Sequence, residues 1–278
     1  MVHHRGIEDT EKSGNDSKLD RQALELFFGL TACFAAMAYL PIVRSGSLKA
    51  LGGLALLLLM WSPGLAGIIT AGLMFRSFRP LGVGGNSKLI FWAVLCLLLP
   101  VAYTLVIYPT LAVFGLVSLG KDHSVSYFVF VFWPTLLTSL GEELGWRGFA
   151  APVMGRVLGF RLGQTSLRVI WFIFHLPALL LTDYGKSPHM VFGNAMFLIS
   201  VVALSIFLGW ARERSDSVWP CAFFHASHNL IFLHLFDPMK LQNASSTWLV
   251  GEQGLLLALV LAPLGVYAFF ASRKPRQS

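Results

Sequence analysis

From Leu26 to Lys121 the chain carries no Asp or Glu, and that stretch limits most severely what it can fold into. Apolar runs of twenty residues or more recur through it and beyond it. Eight apolar segments follow one another, at roughly 23–43, 51–75, 89–117, 126–150, 166–182, 190–211, 218–236 and 248–271. Each is close to the roughly 20 residues that a helix needs to cross the hydrocarbon of a bilayer. Only 13% of the residues are charged, whereas soluble domains carry about 25%. The expectation is an all-α, polytopic membrane protein of about eight transmembrane helices, with Pro100 and Pro109 positioned to kink or break the third.

Residues 1–21 are polar and mixed in charge, with no apolar core behind a basic start, so they do not read as a cleavable signal peptide. They read as a short disordered cytoplasmic tail, and 22–278 as a single transmembrane domain. Cys33, Cys96 and Cys221 lie inside apolar segments without CxxC spacing and read as small buried residues rather than disulfides or metal ligands. The net charge of +7 does not form a patch for nucleic acid; the basic residues are scattered over short loops. With the N-terminus inside, fifteen of the 21 Lys and Arg residues fall on the cytoplasmic side and five on the other, while Arg147 stays in the membrane. This is the positive-inside bias, and it places both termini in the cytoplasm.

Against that background Glu142 and Glu143 stand out, in the stretch Gly141-Glu142-Glu143-Leu144-Gly145-Trp146-Arg147. A charge near the middle of a bilayer costs about 2.5–3.5 kcal/mol on insertion scales, so it is retained for a function. Glu143 and Arg147 are four apart and share a helix face, which predicts an ion pair. Glu142 points about 100° away and has no partner in its own helix, which makes it the candidate catalyst.

Other polar residues fall inside the apolar segments: Glu25, His175, Asn194, His225, His228, Asn229 and His234. The topology puts Glu142 about eight residues, or roughly 12 Å, from the cytoplasmic end of its helix. His175 and His225 enter their helices from that same side to similar depth, with Asn229 one turn beyond His225. These four predict one pocket open toward the cytoplasm. Asn194, His228 and His234 also fit the role of hydrogen-bond glue between helices, and Glu25 that of an interfacial residue.

No Ser or Cys stands beside a base as an evident nucleophile. A carboxylate and an imidazole around a water supply a general base and a proton relay. A second imidazole and an amide supply donors to a developing oxyanion. This is the apparatus of water-activated amide hydrolysis, although Glu, His and His also make a zinc triad, and spacing alone leaves both open.

With these residues in place the chain resembles the CPBP family, the CAAX proteases and bacteriocin-processing enzymes also called the ABI family, which includes the type II CAAX prenyl endopeptidases. The family's EExxxR motif is met at Glu142-Glu143-Leu144-Gly145-Trp146-Arg147. FxxxH appears as Trp171-Phe172-Ile173-Phe174-His175, with Trp in the place of the usual Phe. HxxxN is met at His225-Ala226-Ser227-His228-Asn229, while Phe192-Gly193-Asn194 matches a weaker motif with altered spacing. The resemblance implies an eight-helix fold around a conical, cytosol-facing polar cavity, in an integral protein of the cell or plasma membrane. It implies that Glu142 and His175 activate water, that His225 and Asn229 form the oxyanion site, and that Glu143, Arg147 and Trp171 support them. The substrate implied is a lipidated or otherwise apolar peptide presented by the membrane lipid, hydrolysed without a metal cofactor; older descriptions of the family as metalloproteases keep zinc as the alternative. A non-catalytic membrane partner or immunity-type protein and a transporter are the competing functions.

Overall fold

The computed structural model describes the backbone of residues 2–118, 125–185, 187–241, 243 and 245–272, with side chains from residue 15 onward except at 125, 128, 160, 185, 236 and 237. The helices are α1 (Val2–Ser45), α2 (Leu54–Thr70), α3 (Leu89–Val113), α4 (Val125–Glu143), α5 (Ala151–Leu158), α6 (Phe160–Leu181), α7 (Met190–Ser215), α8 (Trp219–His228), α9 (Ser246–Leu249) and α10 (Leu255–Ala271). Three of them run on into wider π-helical turns: α2 into Ala71–Phe75, α4 into Leu144–Ala150 and α8 into Asn229–Phe236. Among the described residues there is no strand, only an isolated bridge between Val117 and Lys240. The polar residues that composition reads as a tail lie on the first turns of α1, their side chains outside the described set up to residue 14.

Five stretches are long and apolar enough to cross a membrane: Asn15–Ser45, Ala50–Phe75, Leu89–Val113, Arg161–Leu181 and Met190–Ser215. α10 is equally apolar but, at 17 residues, shorter. The outward faces are oily. Val191 is 87% exposed and Phe130 81%, and Ile90, Val113 and Phe270 stand out comparably. Patches of this extent are tolerated against lipid and not against water, and the chain is an integral membrane protein. α3 stays a single helix with both Pro100 and Pro109 inside it, so neither breaks it.

α4 sits in the middle, flanked by α2 and α8; α1 packs on α2, α3 on α8, and α10 on α7. The α2–α4 contact is unusually close because glycines face each other. A methyl group at Gly64 would lie 2.4 Å from the carbonyl oxygen of Gly141, and one at Gly145 would lie 2.3 Å from the backbone of Pro63. Close approach of backbones through small residues is how membrane helices gain packing energy, since lipid gives them no hydrophobic drive to associate. In the first half of α1, Asp20 ties that helix to α5 by accepting two 2.7 Å hydrogen bonds from Arg156.

Candidate active site

The two glutamates end α4, and the neighbouring helices separate their roles. Glu143 is fully buried, and its Oε1 accepts from Arg147 at 3.0 Å, one helical turn on. The same oxygen accepts from Nδ1 of His225 on α8 at 2.9 Å. Arg147, 1% exposed, lays its guanidinium over the Trp171 ring, 4.0 Å from the centroid. The predicted ion pair is thus present, and it joins α4 to α6 and α8. Removing one partner from such a buried pair strands the other charge, at a cost of about 3–5 kcal/mol.

Glu142 faces the other way. It is 2% exposed and finds its partner on α6, where the Trp171 Nε1–H donates to Oε2 at 2.8 Å. Its Oε1 makes no hydrogen bond among the described residues and is the oxygen left to the cavity that Glu142 lines. The Trp171 carbonyl accepts from Nδ1 of His175 at 2.8 Å. A carbonyl only accepts, so Nδ1 carries the proton and Nε2 is a lone-pair base. One tryptophan therefore orients both the carboxylate and the imidazole, the first through its side chain and the second through its backbone. The departure from the usual Phe adds an N–H that Phe lacks.

These groups line a cavity of about 210 Å³. Glu142, His175, His225 and Asn229 all reach its wall, together with Phe174, Phe197, Leu204 and Phe224, which make most of it apolar. The depth argument brought these four to one level, and they do meet around one space. His228 and His234 line it too, whereas Asn194 accepts from Gln253 at 3.3 Å and Glu25 is exposed on α1. Ser227 is no nucleophile: its hydroxyl donates to the Leu97 carbonyl of α3 at 2.7 Å. Cys33, Cys96 and Cys221 are all free thiols, Cys33 exposed and the other two buried.

A zinc centre would require Glu142, His175 and His225 to turn their free atoms onto one point. Among the described residues no three His, Cys, Asp or Glu side chains are arranged to hold a metal ion.

Sequence reasoning missed Glu252, Tyr184 and Tyr103. Glu252 lines the cavity with Tyr184, whose hydroxyl donates to its Oε2, and its Oε1 lies 3.5 Å from Nε2 of His228. Tyr103 of α3 hydrogen-bonds the other ring nitrogen of His228. The signal was available for Glu252, a lone acid in the last apolar segment, but not for the tyrosines, which are ordinary residues of apolar helices and loops.

The family model for type II CAAX prenyl endopeptidase Rce1-like proteins matches residues 124–231. That range holds all four expected site residues and ends before Glu252. No curated protein matches the chain.

Proposed function

We propose that this chain, whose residues 124–231 match the type II CAAX prenyl endopeptidase Rce1-like family model, is an intramembrane endopeptidase acting on a membrane-associated, prenylated CAAX-type peptide. In this reading α4, α8 and α10 complete eight spans, residues 22–278 work as one domain, both termini are cytoplasmic, and the cavity opens to the cytosol. The observation that carries it is the pair of 2.8 Å hydrogen bonds through which Trp171 aims Glu142 and His175 at one apolar cavity.

Water is held between Oε1 of Glu142 and Nε2 of His175. The pair removes its proton as the oxygen attacks the peptide carbonyl carbon. The carbonyl oxygen becomes an oxyanion, stabilised by the Asn229 amide and by Nε2–H of His225. His225 donates from Nε2 only as the imidazolium, because Nδ1–H already points to Glu143; that carboxylate supplies the counter-charge at 2.9 Å. The proton taken from water passes to the leaving amine as the C–N bond breaks. No step requires a metal, and the apolar wall suits a lipidated substrate.

The test is cleavage of a farnesylated C-terminal peptide by the full-length protein in liposomes, with wild type, Glu142→Gln, and wild type after chelation. Loss of a general base lowers turnover by about 10²–10⁴-fold, so Glu142→Gln should fall by at least 10²-fold while the chelated enzyme keeps its rate. Full activity in Glu142→Gln would remove the mechanism. Loss on chelation would move it to a metal. No cleavage by wild type would remove the prenyl substrate and favour a non-catalytic membrane partner.

A further inference from the structure

The cavity has a second polar wall that this mechanism does not use. His228 is buried, and its ring is held on every side. Tyr103 reaches Nδ1 from α3, and Oε1 of Glu252 stands 3.5 Å from Nε2 on the segment before α10. The rings of Phe224 and Phe232 run nearly parallel to the imidazole, with planes within 6° and 9° of it and centroids 6.5 and 5.3 Å away. Tyr184, just after α6, donates to the far oxygen of Glu252. The contacts form one connected line: Tyr184 donates to the carboxylate of Glu252, the other oxygen of that carboxylate faces Nε2 of His228, and the Tyr103 hydroxyl meets Nδ1.

The position of His228 gives this chain of four residues its meaning. It is three residues after His225 and one before Asn229, at the point where α8 gives way to π-helical turns. Such widened turns are weakly determined by the helix itself and recur at functional sites. The rotation of α8 at that junction sets where Nε2 of His225 and the amide of Asn229 point. Resting on the endopeptidase reading, we propose that Glu252, through His228 and with Tyr103 and Tyr184, is a positioning residue that fixes the oxyanion pair. Glu252 lies outside the matched family segment, so this chain supports its oxyanion site from beyond that segment.

A misplacement of about 1 Å at a reacting centre costs on the order of 10²-fold in rate. The experiment measures kcat and KM for Glu252→Leu, Glu252→Gln and Tyr103→Phe on the farnesylated peptide, and in parallel the ¹⁵N resonances of the histidine rings in the same full-length, liposome-embedded proteins. Glu252→Leu should lose on the order of 10²-fold in kcat at nearly constant KM, and the His225 signals should move while those of His175 stay. Glu252→Gln, whose amide oxygen still accepts from His228, should recover most of kcat. Wild-type kcat in Glu252→Leu, a change confined to KM, or unmoved His225 signals would overturn the proposal. If Glu252→Leu does not fold, Tyr103→Phe carries the same comparison from the α3 side. If wild type cleaves nothing, the endopeptidase reading fails, and the His225 resonances alone decide whether the clamp exists.

Discussion

At the scale of single residues, the site depends on which of two adjacent glutamates is left free. Glu143 is enclosed by Arg147 and His225, so its charge is already compensated and it orients its neighbours. Glu142 keeps one oxygen for the cavity because Trp171 takes only the other. The indole N–H thus contributes more than aromatic bulk. A hydrogen bond to a charged group is worth about 1.5–3 kcal/mol, so Trp171→Phe should lower kcat roughly tenfold or more while the Arg147 contact with the ring persists. Steady-state kinetics on the peptide substrate checks this, and an unchanged kcat would reduce Trp171 to packing. The four-residue spacing of Glu143 and Arg147, and the isolation of Glu142 within its own helix, were both readable from sequence. The indole's aim at Glu142 was not, because it depends on how α6 is rotated against α4. Glu252 was readable as a lone acid in an apolar segment, yet its partner His228 lies on another helix, and no spacing rule connects the two.

At the scale of elements, apolar segment lengths gave the helices, and polar depth gave the common level of Glu142, His175, His225 and Asn229. The π-helical turns after Glu143 and His228 were not legible. A mostly apolar run offers no alternation from which to tell the α-helical period from the wider π turn, and what selects the wider turn is packing against neighbours. The glycines of α4 show how that packing works. Gly141 and Gly145 let α2 approach until backbone meets backbone, which holds the end of α4 and therefore both glutamates. Gly64→Ala places a methyl 2.4 Å from the Gly141 carbonyl, and backbone has no rotamer with which to yield. Overpacking of this kind costs about 1–3 kcal/mol, so the variant should melt at lower temperature and also lose kcat as α4 is displaced. Thermal unfolding in detergent together with the cleavage assay tests both parts, and a variant that melts and cleaves like wild type would remove α2 as the support of α4.

At the scale of the whole molecule, the proposed reading needs the cavity to open to the cytosol, where a prenylated peptide would reach it, and the distribution of charge is the argument for that orientation. Lys49 precedes α2 and Lys88 follows its π-helical extension, both exposed, with the apolar stretch Ala50–Phe75 between them. If that stretch crosses the bilayer, the two lysines lie on opposite faces whatever the orientation of the chain. The excess of Lys and Arg on one set of loops then predicts the sign, with Lys88 inside and Lys49 outside. In a Cys33→Ala background, which removes the exposed cysteine and keeps the two buried ones, a membrane-impermeant maleimide added to intact cells should label Lys49→Cys. It should label Lys88→Cys only after permeabilisation. The reverse pattern would turn the molecule over and present the cavity to the wrong compartment for a cytosolic prenylated peptide, while labelling of both from outside would mean that α2 does not span. Orientation and mechanism are thereby separable, because the hydrogen bonds around Glu142 are the same in either orientation and only the source of the substrate changes.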